Sequence, residues 1–139
     1  MHALKSAMEF ALKWDAELLV ISVIPPVPSN IYSESDNLTM STRMIGLEEY
    51  DKAIEQAHVK VLLDAENMVK ESHPELKITP ILAKGHVSIR IMEIAEEEHV
   101  DLIVMGSRGL PRARIKSWFL GSVSKHIVEH CKKPILIVK

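Results

Sequence analysis

Four short apolar runs, at 17–24, 77–83, 102–105 and 135–138, alternate along this 139-residue chain with segments whose apolar residues recur every three to four positions. A run without polar alternation suits a strand covered on both faces, whereas the 3.6-residue period suits a helix burying one stripe. Read in order the elements are αβαβαβαβ. That alternation predicts an α/β fold, three layers with a parallel sheet between helices, whose ligands sit outside the carboxyl ends of the strands.

The first helix is traced by Ala3, Leu4, Ala7, Met8, Ala11 and Leu12 and ends near Asp15; the run that follows is stopped by Pro25, Pro26 and Pro28. The polar stretch 25–42 is too long for a plain βα turn, and such loops are functional or disordered. Leu47, Tyr50, Ile54, Ala57, Val61, Ala65 and Met68 mark one face of a long helix ending near Pro74. Pro80 cannot donate a ladder hydrogen bond, so the 77–83 strand belongs at a sheet edge. Gly85 turns the chain into a helix with Val87, Ile91, Ile94 and Ala95 inward, and Val123, Ile127 and Cys131 align on the last helix.

Length fits a single domain over 1–139, with no repeat or linker. A net charge of −2 gives no general attraction to nucleic acid or to an anionic membrane. The longest apolar run is far short of the ~20 residues that cross a bilayer, and the start has no signal-peptide pattern. The single cysteine, Cys131, forms no internal disulfide, and it sits at the inward helical period as a small core residue. A cytoplasmic setting is expected.

The chemistry concentrates in the last third. The stretch 101–109, DLIVMGSRG, carries an apolar run into Gly106 and Gly109; after eleven intervening residues Gly121 and Ser122 open a helix that also holds Ser124. Glycines let backbone approach a ligand closely, serines add hydroxyl donors, and a helix N-terminus attracts anions, so the constellation suits phosphate. Equally, the glycines turn the chain and Ser122 caps the helix. Arg108, Arg112, Arg114 and Lys116 lie between with no acidic residue; they reach terminal phosphates or form a solvated basic loop. Trp118 and Phe119 read as packing anchors for that loop. There is no G-x-x-x-x-G-K-[ST] loop and no G-x-G-x-x-G after a strand. No catalytic residue and no metal site is assigned; His126 and His130, at i,i+4, lack a third ligand beyond Glu129.

The 101–105 strand, Gly106-x-x-Gly109, Gly121-Ser122 and the closing KPILIV, together with Gly85, Ile91-x-x-x-Ala95 and the 17–23 run, resemble the universal stress protein family over nearly the whole chain. The resemblance implies an adenine nucleotide alpha hydrolase-like fold and a protein that binds ATP or AMP, with Mg2+ accompanying the phosphates, in stress response or signalling. It assigns Gly106, Ser107, Arg108 and Gly109 to the phosphate turn and Gly121, Ser122, Val123 and Ser124 to phosphate contacts. Val23 and Met105 line the adenine and ribose pocket, and Gly85 forms its wall. A homodimer through Ile135, Leu136, Ile137 and Val138 is implied as well. The alternatives are a dimeric interaction module without nucleotide and, as an enzyme, at most a weak ATP hydrolase.

Two departures from the family pattern stand out. Eleven residues separate Gly109 from Gly121 where the nucleotide-binding members have nine. Members also begin with a strand and an acidic turn, and this sequence opens directly in the first helix. That strand is central in the family sheet. With about four large apolar side chains it is worth roughly 6–12 kcal/mol, comparable with a whole domain's net ~5–15 kcal/mol. The expectation is therefore an N-terminally shortened domain in which Met1 is an internal methionine. The 17–24 and 101–105 strands then either pair directly or flank a gap.

Overall fold

The computed structural model describes residues 2–27, 40–107 and 120–139. Its elements run α1 (His2–Trp14), β1 (Leu18–Ile24), α2 (Met40–Ser72), β2 (Ile78–Lys84), α3 (Val87–Glu97), β3 (Ile103–Gly106), α4 (Ser122–His130) and β4 (Ile135–Val138). The alternation expected from the sequence is realised, with strand ends shifted by a residue. The stretch 28–39, Arg108, Gly109, the basic residues at 112, 114 and 116, Trp118 and Phe119 lie outside the described residues.

The strands form two separate parallel pairs, β1 with β2 and β3 with β4. Of the two arrangements expected, β1 and β3 flanking a gap is the one found. Helix α1 packs across β3 and β4 and reaches β1, α2 covers β1 and β2, and α3 lies against β1, β2 and α4. The layers are thus α1 and α2 on one face and α3 and α4 on the other. Met8 and Ala11 of α1 meet Leu18, Val69 and Leu76 in one buried cluster; Val23, Ala83 and Ile94 form the other, with Ile21, Ile81, Val87 and Ile91 packed around it.

The register explains why Pro80 is tolerated. It stands opposite Val20 in the parallel ladder, and the bonds from Leu18 N–H to the Lys77 carbonyl and from Gly85 N–H to the Ile24 carbonyl, both 2.9 Å, point the odd-numbered residues of β2 toward β1. Backbone groups alternate sides along a strand. Pro80 therefore turns its nitrogen to the outer edge, where the ladder needs no donor.

Candidate functional site

Three chain segments meet beyond the carboxyl end of β3. Ser107 N–H donates to the Val138 carbonyl at 2.8 Å, carrying the ladder one step past Gly106, and the Ser107 carbonyl accepts from Gly121 N–H at 2.9 Å. The Ser124 hydroxyl then donates to the Gly106 carbonyl, also at 2.9 Å. These bonds hold the first turn of α4 over the end of β3.

Gly121 is the N-cap of α4 (φ −61°, ψ 157°), and no side chain caps the helix. Ser122 is the first helical residue, so the reading of Ser122 as a capping side chain is corrected. Lys125 N–H is the first to reach back, to the Gly121 carbonyl at 2.9 Å. The geometry of a helix start leaves the N–H groups of Ser122, Val123 and Ser124 without intrahelical acceptors. Those three donors, with the exposed Ser122 hydroxyl, are what the turn offers to an anion. Two donors counted on in the sequence are already engaged: Gly121 N–H by Ser107, and the buried Ser124 hydroxyl by Gly106.

The other predicted positions lie as follows. Met105 sits in β3 opposite Ile137, half-buried, one residue before the turn. Val23 is buried near the end of β1 with Ala83 and Ile94. Gly85 follows β2 at φ +133°, a region L side chains rarely adopt, and its N–H donates to the Ile24 carbonyl. The structure therefore brings Gly106, Ser107, Gly121, Ser122, Val123 and Ser124 together. Val23 and Gly85 stand with the other strand pair, across the gap.

Sequence reasoning missed a cluster at the carboxyl ends of β1 and β2. Ile24, Pro25, Pro26, Val27, Asp51 and Lys84 line a shallow cavity of about 170 Å³. Lys84 Nζ donates to Glu55 Oε2 at 2.6 Å, and that bond holds the ammonium above its ordinary value, with Asp51 adding a weaker attraction. The Pro25-Pro26 pair and the charges on α2 were the available signals. Among the described residues no three His, Cys, Asp or Glu side chains converge as metal ligands, and no helix is long and apolar enough to cross a membrane.

The family model described as Universal stress protein family matches residues 1–139. Universal stress protein MJ0577 of Methanocaldococcus jannaschii is 33% identical over 98 residues, which are 67% of this chain and 57% of that protein. The chain thus matches somewhat over half the length of this relative. A solved structure of the MJ0577 protein shares 31% identity, with a TM-score of 0.70 over 99% of this chain and 85% of that one. A universal stress protein solved in complex with cAMP has the same fold at 24% identity, with a TM-score of 0.60 over 98% of this chain and 84% of the other.

Proposed function

The chain belongs to the universal stress protein family, and we propose that it is an adenine-nucleotide-binding protein of stress response or signalling, taking ATP or AMP at the carboxyl ends of β1 and β3. The observation that carries this reading is the uncapped start of α4 fixed beside the end of β3. The strand pairs diverge there, β1 leading outward to β2 and β3 to β4, and such switch points are where open α/β sheets bind ligands. Ser122, Val123 and Ser124 N–H groups receive the phosphates, Gly106 and Ser107 form the floor, and the adenosine extends toward Met105 and the Val23–Gly85 side. The family pattern gives Arg108 and Gly109 to the same phosphate site, and Mg2+ accompanies the phosphates. A relative of the same fold that holds cAMP supports the ligand class.

The described turn supplies donors and no carboxylate, which suits holding a phosphate more than splitting it. We read the protein as a binder in the cytoplasm, paired with a second copy through Ile135, Leu136, Ile137 and Val138. Titration calorimetry with ATP, AMP and GTP tests the site. Ser122→Asp places a negative charge at a helix N-terminus, which favours folding but repels phosphate. ATP affinity should fall at least about tenfold, the loss expected for a charge-assisted contact, while the melting temperature holds or rises. Unchanged ATP affinity in that variant, or no binding by the wild type, would sink the reading.

A further inference from the structure

Helix α4 carries a second set of ligating atoms, away from its N-terminus. His126 and His130 stand one turn apart, a spacing that puts both side chains on one face. Their rings stack, with centroids 4.3 Å apart and planes inclined by 22°. His130 Nδ1 lies 2.9 Å from the His126 carbonyl. A carbonyl oxygen only accepts, so that nitrogen carries the proton and the neutral ring keeps its lone pair on Nε2. The Nδ1 edge of His126 is buried without a hydrogen-bond partner, which leaves Nε2 as its ring nitrogen for an outside group. A histidine in a last helical turn has a plainer use, bonding one of the final carbonyls. That use engages His130 Nδ1 alone and leaves Nε2 of both rings idle.

We infer that His126 and His130 chelate a divalent transition ion of the kind imidazole prefers, Zn2+, Ni2+ or Cu2+, through their two Nε2 atoms. The bond from His130 Nδ1–H to a backbone carbonyl is the outer contact that ligating histidines ordinarily make, because it fixes the tautomer and holds the ring. Two nitrogens each about 2.1 Å from one ion stand roughly 3.0–3.4 Å apart. The ring centroids are farther apart than that, so a small turn about the outer side-chain bonds tips the two Nε2 edges together. Among the described residues no third His, Cys, Asp or Glu converges on the pair, and Glu129 Oε1 is 3.8 Å from Lys125 Nζ. Water therefore fills the remaining positions, and the ion exchanges with solution. Cu2+ should bind ahead of Ni2+ and Zn2+. Mg2+, which asks for oxygen ligands, should not bind there. The ligands are side-chain nitrogens and not main-chain N–H groups, so the site stands whether or not the turn at Gly121 holds phosphate.

The probe is Ni2+, added as the chloride to the full metal-free chain at neutral pH without nucleotide. Calorimetry should show one site. His130→Ala should weaken it at least about tenfold, since removing only a supporting contact of a ligating histidine already costs about 10–100-fold. His130 is exposed, so this variant should keep the fold, and His126→Gln should weaken binding in the same way, with circular dichroism checking both. In the wild type, paramagnetic Ni2+ should broaden the ring-proton resonances of His126 and His130 ahead of the other histidines, and Mg2+ should leave them sharp. Wild-type affinity in either folded variant, equal broadening at all seven histidines, or no Ni2+ binding would each overturn the site. Where a variant fails to fold, the broadening pattern of the wild type decides.

Discussion

The Ser124 hydroxyl donates to the Gly106 carbonyl at 2.9 Å, linking the first turn of α4 to the last residue of β3. Ser124 is 6% exposed, so this bond is made in a nearly dry setting and aims the three free N–H groups of the helix start. Ser124→Ala strands that carbonyl and should lower unfolding stability by about 1–3 kcal/mol. If the turn holds phosphate, ATP affinity falls as well, although the hydroxyl itself donates to backbone. Chemical denaturation and calorimetry on the same preparation read both effects.

Gly85 tolerates a side chain poorly. Its φ of +133° disfavours any L residue, and an added Cβ would stand 3.0 Å from Cγ of Arg90. Gly85→Ala should cost about 1–3 kcal/mol. Pairing it with Arg90→Ala relieves the contact and leaves the backbone conformation, so most of the loss should persist in thermal melts of the double variant.

Acid should act through Glu17. Lys77 Nζ at 2.7 Å, and then the Thr79 hydroxyl at 2.7 Å, hold its carboxyl below the ordinary carboxylate value. A depressed carboxylate contributes stability that is full above the unfolded pKa and is lost as pH falls through the folded one. The difference in melting temperature between wild type and Glu17→Gln should be constant around pH 7 and vanish in acid. Glu17 and Lys77 are exposed, so the difference is small and shrinks with added salt.

Lys84 gives the opposite sign. Its bond to Glu55 raises its pKa, so its contribution is complete at neutral pH and is lost as pH rises through the folded value. Glu55→Gln should flatten the alkaline limb of the stability profile and leave the acid limb created by Glu17.

The proposed homodimer is tested at β4, which pairs with β3 on one side. Its odd-numbered residues turn their backbone groups outward, and Ile137→Lys places a charge on that edge, a device natural edges use against pairing. Sedimentation should show dimer for the wild type and monomer for the variant. A wild-type monomer at high concentration refutes the dimer.

Much of this architecture was legible in the residues because it follows from local periodicity. The apolar runs fixed the strands to within a residue, Pro80 marked its own edge, and Gly85 and Gly121 marked turns. Which donors remain free at the α4 start was not legible. That depends on where Ser107 returns after β3, and Gly121 N–H and the Ser124 hydroxyl were engaged by groups fourteen to eighteen positions away. Direct pairing of β1 with β3 was likewise undecidable from pattern, since either arrangement buries the same side chains. The cavity beside Lys84 escaped notice because its walls come from three separate segments.

Helix α1 touches β1 soon after it in sequence, but it also lies across β3 and β4, which begin at Ile103 and Ile135. During synthesis, emerging at about 5–20 residues per second, α1 must therefore wait for roughly a hundred further residues before its second set of partners exists. The β1–β2 half can assemble early with α2 and α3. Closure of α1 over the β3–β4 pair is left as a later, long-range step, and the apolar underside of that helix stays open to chaperones or to wrong partners until β4 leaves the ribosome.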